Sequence, residues 1–392
     1  MTVSLWRLSH LWLAIVSTVF LLIASITGAI LSFEPVYEHS FDYRVADAEE
    51  LTISELIQNL SNKYPELNSV KRDHNGFIQV TIFGDDGEEI FFINPFTGEE
   101  MGALIETPAL FDFCRTLHRS LFFGKAGRFL VGIASLMLLV ISITGFSLIL
   151  KKQGGIRSYF RKVIKDEFYR DYHTRLGKIF FLIIVLVSVT GGYLFLERFK
   201  VIPISSHEHS FDFDSLKEEP SFSRVDLPIF HVHKVGELKE LIFPFSSFVD
   251  DFFELKLKDQ ELLVNQFTGE TVSEVQYSNT QKLSTLSFSL HTAEGQPWWA
   301  MMLGMTSLSL LFFIYSGFKI YLKRAAEKTQ VRNPFNKDES TIIIGYGSEM
   351  GSTLIFAQAL HDSLVDAGKK SYLVALNEYT YFPQLQQLIV IT

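Results

Sequence analysis

Cysteine is almost absent: Cys114 stands alone among 392 residues, which excludes an intramolecular disulfide, and no Cys-x-x-Cys-His run offers covalent haem attachment. Charge is missing over four long stretches, Leu8 to Phe33, Phe129 to Leu150, Ile179 to Leu196 and Gly295 to Phe318, none of which holds Lys, Arg, Asp or Glu. There is no Gly-x-x-x-x-Gly-Lys loop for a nucleoside triphosphate. A formal net charge of -9 leaves no basic footprint for nucleic acid. What is present is apolar: 47% of the chain is hydrophobic and Phe alone supplies 37 residues, too much for an ordinary soluble enzyme.

A helix rising ~1.5 Å per residue needs about 20 apolar residues to cross a ~30 Å hydrocarbon core. All four charge-free stretches meet this, the third only just, and a lipid bilayer is the expected surrounding. The first follows Arg7 and carries small residues near Ala24 to Ala29, as a signal peptide would, but it is longer than such apolar regions usually are. From Lys151 to Lys178 there are nine Lys or Arg against three Asp or Glu, and from Lys319 to Arg332 five against one. Basic short loops remain inside. Both chain ends are therefore expected in the cytoplasm, with two larger regions outside.

The two halves repeat one another. His10 precedes Thr27-Gly28 by 17 residues, and His173 precedes Thr190-Gly191 by 17. Asn94-Pro95-Phe96-Thr97-Gly98-Glu99 is matched by Asn265-Gln266-Phe267-Thr268-Gly269-Glu270. Leu117-His118 precedes the second span and Leu290-His291 the fourth, with Thr144-Gly145 and Ser316-Gly317 lying 26 and 25 residues beyond those histidines. Each half thus reads as helix, outer domain, helix, with one histidine for every helix. The outer regions pattern as small α+β units: a helix over Leu51 to Lys63, then strands Phe77 to Phe83 and Glu89 to Asn94 about a Gly84 to Gly87 turn. In the second region Phe252 to Leu257 and Glu261 to Val264 flank Lys258-Asp259-Gln260.

The topology sets His10 and His173 near the cytoplasmic face and His118 and His291 near the opposite one. Two imidazoles per face, drawn from different helices, are what two b-type haems require as axial ligands. A lone histidine at a helix end also serves as an interfacial anchor, whereas a duplicated set of four favours ligation. The Thr-Gly and Ser-Gly pairs suit close helix packing or room for a flat macrocycle equally well. His207 with His209 and His231 with His233 form two His-x-His pairs, which on strands would share a face and could hold a metal ion; exposed loop histidines are the plainer reading. His39, His74 and His361 read as isolated surface residues, and Cys114 as a small buried side chain.

Near the C-terminus, Ser340 to Gly347 reads as a buried strand and Leu354 to about Ala367 as a helix. Between them Ser348, Glu349, Met350, Gly351, Ser352 and Thr353 form a hydroxyl-rich loop whose amides and helix start suit a phosphate monoester such as that of FMN. Strands over Ser371 to Leu376 and Leu388 to Thr392 continue the opening of a flavodoxin-like doubly wound domain. The expectation is a partial domain.

Residues 1 to 330 resemble the PepSY-associated transmembrane proteins, whose relatives include inner-membrane ferric-siderophore reductases. The remainder is similar to the FMN domain of sulfite reductase flavoproteins. There Ser348, Gly351, Ser352 and Thr353 match the phosphate loop, while Met350 replaces a usual hydroxyl residue. The resemblance implies an α-helical membrane protein with four transmembrane helices in two repeats. Each repeat carries a small α+β PepSY-like extracytoplasmic domain, and a partial α/β flavodoxin-like domain follows. The expected layout is spans at 1–33, 129–150, 179–196 and 295–321, outer domains at 34–128 and 197–294, a basic loop at 151–178, a linker at 322–339 and the flavin domain at 340–392. It further implies an oxidoreductase of the bacterial inner membrane, passing electrons from FMN through two b haems to a periplasmic acceptor such as ferric siderophore iron. No FAD or NAD(P)H module is present, so a separate cytosolic NAD(P)H reductase or a missing C-terminal module would supply the electrons. The rival reading is a membrane-anchored PepSY regulatory or protein-binding module without redox activity. A transporter built on the repeat is disfavoured by the charge-free spans.

Overall fold

The structure is a computed structural model that describes residues 3–84, 87–163, 167–205, 208–328, 333–347, 352–381 and 385–391. Four of its helices are long and apolar enough to cross a membrane: α1 (Val3–Leu31), α5 (Gly124–Gln153), α6 (Phe168–Arg198) and α9 (Pro297–Lys328). The third span, marginal by its charge-free length, belongs to a helix of 31 residues because the basic segment before it continues the same helix. At ~1.5 Å per residue these helices exceed the hydrocarbon thickness with a turn or more to spare. Their outer faces are apolar, with Leu182 75% exposed and Trp12, Val19, Ile179 and Leu308 also bare, a surface that lipid and not water would cover. The chain is a multi-pass membrane protein.

The shorter elements are α2 (Glu34–His39), α3 (Ile53–Ser61), β1 (Leu67–Arg72), β2 (Ile78–Gly84), β3 (Gly87–Ile93), β4 (Glu100–Ala103) and α4 (Ala109–Ser120). Between α6 and α9 lie α7 (Pro228–Val232), β5 (Leu238–Ile242), β6 (Phe252–Leu257), β7 (Gln260–Asn265), β8 (Thr271–Gln276) and α8 (Asn279–Thr292). After α9 come β9 (Ile342–Tyr346), α10 (Ser352–Asp366), β10 (Ser371–Ala375) and β11 (Gln387–Ile391). The chain divides into two compact units. One comprises Ser17–Leu139 with Leu182–Leu311, and the other Met1–Val16, Val140–Phe181 and Phe312–Thr392.

In the first unit, α3 begins where Thr52 and Glu55 form a reciprocal capping box. Its buried residues Ile53, Leu56, Ile57 and Leu60 recur at helical spacing and form one stripe. That stripe packs with Val70, Val80, Ile93, Leu241, Phe253, Leu255 and Val264 in a single core. The strands beneath it form one antiparallel sheet of eight, in the order β4-β3-β2-β1-β5-β6-β7-β8. Its centre is the β1 to β5 pairing, Val70 opposite Leu241, so strands from the two outer regions share a ladder. Two regions that read as separate units along the sequence are therefore continuous in the sheet.

The repeated Asn-x-Phe-Thr-Gly-Glu motif is the turn that closes β3 onto β4 and β7 onto β8. Asn94 Oδ1 accepts from the amides of Phe96 and Thr97, and Asn265 Oδ1 from those of Phe267 and Thr268. Gly98 and Gly269 complete it at φ of 64° and 68°, in the left-handed region where a side chain is strained. The motif is thus structural.

His74 lies at the surface as expected but is not isolated: in the β1–β2 turn it is held by Glu38 of α2 at 2.8 Å and by Glu294, ahead of α9, at 3.3 Å. Burial disfavours its charged form, but Glu38, Glu294 and Asp73 outweigh that and raise its pKa above the ordinary histidine value. Stability from the imidazolium is then complete at acid pH and is lost as pH rises through the raised value. Because the side chain is 33% exposed, screening keeps the contribution to about 1 kcal/mol or less. The His74→Gln variant should unfold earlier than the parent at pH 6 and together with it at pH 9. Equal destabilisation at both pH values would refute the ion-pair account.

In the second unit β9 lies between β10 and β11, parallel to both, with Ile344 opposite Leu373 and Ile389. α10 covers this sheet through Ala357. His361 continues the same stripe: it is fully buried, with Nδ1 2.8 Å from Ser371 Oγ of β10, so the expectation of a surface histidine is overturned. Of the other minor expectations, His39 is exposed and Cys114 is buried and free.

Candidate functional site

His10 lies in α1 and His173 in α6, within one unit, with ring centroids 6.5 Å apart and planes inclined by 75°. His118 ends α4 and His291 ends α8, within the other unit, with centroids 6.3 Å apart and planes inclined by 61°. The same-face partners named from the sequence are thus neighbours in space, although they are separated by more than 160 residues of chain. His118 and His291 sit on short helices of their own, not on the spans that follow. Left-handed residues turn the chain sharply after each, Leu121 and Phe122 in one case and Ala293 in the other.

Each imidazole leans on a Thr-Gly or Ser-Gly pair of another helix in its own half of the chain. His10 Nδ1 is 3.1 Å from Thr144 Oγ1 on α5, and His118 Nδ1 is 2.9 Å from Thr27 Oγ1 on α1. His173 Nδ1 is 2.8 Å from Ser316 Oγ on α9, and His291 Nδ1 is 3.1 Å from Thr190 Oγ1 on α6. All four hydroxyl residues are buried. The adjoining glycines give the rings their place. A methyl at Gly145 would stand 3.1 Å from His10 Cε1, at Gly28 3.5 Å from His118 Cε1, and at Gly191 2.9 Å from His291 Cε1; at Gly317 it would meet nothing. Phe313 packs edge-on to His173 at 5.0 Å.

Outside the spans, burial and then the neighbouring His291 push the His118 imidazole down to about 4, and burial lowers His291 as well. Both rings are therefore neutral at pH 7, the form in which imidazole binds a metal. Two imidazoles sharing one metal at about 2 Å each, with ring centres roughly 1 Å behind the bonded nitrogens, stand about 6 Å apart. The spacing of both pairs matches this.

The remaining candidates separate from this set. Ser348, Glu349, Met350 and Gly351 of the phosphate loop lie outside the described residues, while Ser352 and Thr353 open α10 directly after β9. His207 lies outside them too. His231 and His233 lie neither on a shared strand, the metal-binding alternative, nor in a plain loop: His231 is exposed in α7, which starts where Pro228 fits the first helical turn, and His233 caps that helix. His209 is bonded to Ser273, His231 lies by Ser54 and His233 pairs with Glu237. Among the described residues no group of three or more His, Cys, Asp or Glu could hold a metal ion.

Four membrane-crossing helices joined to a continuous antiparallel sheet define a multi-pass membrane protein with an α/β region between its spans. The chain belongs to the PepSY-associated TM region family, whose model matches residues 7–324. No curated protein matches it.

Proposed function

We propose that this protein is an oxidoreductase that moves electrons across a bacterial inner membrane, from a cytosolic flavin to a periplasmic acceptor, through two b-type haems. The observation that carries this reading is the pair of histidine couples, each at the spacing of two imidazoles on one metal. His10 with His173 would hold one haem and His118 with His291 the other. A bound haem supplies a one-electron ferric/ferrous couple. The chain's own residues provide neutral ligands that bring no charge into an apolar setting, and glycines that leave the rings room. The orientation is supported by the basic segments Lys151 to Lys178 and Lys319 to Arg332, on which reading both ends would lie in the cytoplasm.

The reading of two repeats, each with a PepSY-like domain, is supported by the sheet. β1 to β4 and β5 to β8 are two meanders, each ending in the same Asn-x-Phe-Thr-Gly-Glu turn before its last strand. The flavin assignment is supported by the order β10-β9-β11, second, first and third strand of a parallel sheet, as a flavodoxin-like fold begins. Ser348 to Thr353, running from beyond β9 into the first residues of α10, is the segment we assign to the FMN phosphate. Ferric siderophore iron is the acceptor we favour, since reduction weakens its hold by hard oxygen ligands, with NAD(P)H electrons entering through a reductase or a further module.

The test is spectroscopic. Detergent-solubilised protein from haem-replete cells should show reduced-minus-oxidised bands of six-coordinate b haem at two haems per chain. A colourless preparation would overturn the proposal and return the chain to a membrane-anchored binding module.

A further inference from the structure

Resting on the haem reading above, the geometry points to Thr27, Thr144, Thr190 and Ser316 as positioning residues that fix the tautomer of the four histidines and tune the iron each would bind. A hydroxyl has one proton to give. Thr27 Oγ1 donates to the Ile23 carbonyl at 2.7 Å, Thr144 to Val140 at 2.9 Å, Thr190 to Leu186 at 2.9 Å and Ser316 to Phe312 at 2.7 Å. Each bond runs to the carbonyl four residues back, which can only accept. With its proton committed there, each oxygen offers a lone pair to the imidazole, so Nδ1 carries the hydrogen and Nε2 keeps the lone pair that binds metal.

A second acceptor agrees. The Ile141 carbonyl, three residues before Thr144, lies 3.0 Å from His10 Nδ1, and since a carbonyl can only accept, this contact is a hydrogen bond when Nδ1 carries the proton. The carbonyls of Ala24 and Val187, three residues before Thr27 and Thr190, bond His118 and His291 in the same way. Each of the three threonines thus presents two oxygens together, its own and a backbone carbonyl, to a ring from another helix.

The pairing follows a rule. Each imidazole takes its hydroxyl from its own half of the chain, and its histidine partner from the other half. The hydroxyl, joined by a carbonyl at His10, His118 and His291, therefore orients each ring before a metal joins the halves. An acceptor on Nδ1–H also makes the imidazole a stronger donor, which favours ferric over ferrous iron.

The experiment uses the full chain in detergent, with potentiometric titration followed by optical absorbance and with haem retention measured on dilution. The Thr27→Val variant keeps the branched shape and loses the oxygen. It should raise the midpoint potential of the His118/His291 haem and weaken its retention by about 10- to 100-fold, the usual cost of losing such a partner. The haem at His10 and His173 should not move, which also reports that the variant is folded. Thr27→Ser should restore both properties, and Thr144→Val should transfer the effect to the other haem. If Thr27→Val matches the parent in potential and retention while His118→Ala loses a haem, the positioning role is wrong and the haem reading stands. If His118→Ala keeps both haems, the haem reading itself fails.

Discussion

Replacing His118 with alanine is expected to halve the haem content, from two per chain to one, and to leave the remaining haem reducible. A haem iron between two imidazoles loses half of its axial bonding when one is cut away, and among the described hydrogen-bonding partners of His118 none can substitute. The described hydrogen-bonding neighbours of His118 are Thr27 and the Ala24 carbonyl, neither of which is an iron ligand of comparable strength. His291→Ala should do the same, and the double variant should be no worse than either single, because on the proposed reading the two rings would serve one metal and their losses would not add. His10→Ala should remove the other haem alone, and His10→Ala with His118→Ala should give colourless protein. His39→Ala, at an exposed residue, is the control and should keep both. Haem per chain, from absorbance and protein mass, decides the matter. Two haems retained by each of the four single ligand variants would remove the histidines from consideration.

Much of this arrangement is legible in the sequence because it rests on local rules. Charge-free runs give the spans, and α3, β2, β3, β6 and β7 follow from apolar spacing and turn residues within two or three positions. The parts that are not legible depend on partners distant in the chain. The β1 to β5 pairing brings Val70 to Leu241, and no feature of either strand announces the other. His118 and His291 are set apart from the following spans by Leu121 and Ala293, left-handed C-caps of α4 and α8 whose side chains do not announce that conformation. Pro228 does predict a helix start and outweighs the strand reading of its His-x-His pair. His361, four residues after the buried Ala357, was also readable as part of the core stripe of α10.

The Thr-Gly and Ser-Gly pairs mark the boundary between these cases. Along the sequence they suit helix packing and cofactor space equally, because both need small residues. The structure separates the two members by function: in all four pairs the hydroxyl meets Nδ1, and at Gly145 and Gly191 the glycine removes a side chain that would strike the ring. A sequence signal does exist in the constant 17-residue step from histidine to pair in the first and third spans. It identifies the pairs as parts of a repeat without saying that each serves the histidine of a different helix.

That division of labour yields the second large effect. Gly191→Ala should abolish the haem at His118 and His291, whereas Gly317→Ala should retain both haems. The added methyl at Gly191 would lie 2.9 Å from both His291 Cε1 and Ser135 Oγ, closer than carbon atoms tolerate, so the imidazole or the helix must move. At Gly317 the methyl enters open space. Helix propensity alone predicts the opposite of damage, since alanine in a helix interior is worth up to about 1 kcal/mol over glycine. Gly317→Ala should therefore be neutral or somewhat more heat-stable than the parent, and Gly191→Ala should lose haem in spite of the same gain. Gly145→Ala, with 3.1 Å to His10 Cε1, should weaken the other haem more mildly. Haem content and thermal unfolding of the three variants, measured side by side, test this order. If Gly191→Ala and Gly317→Ala behave alike, the close approach of glycine to imidazole does not govern the site.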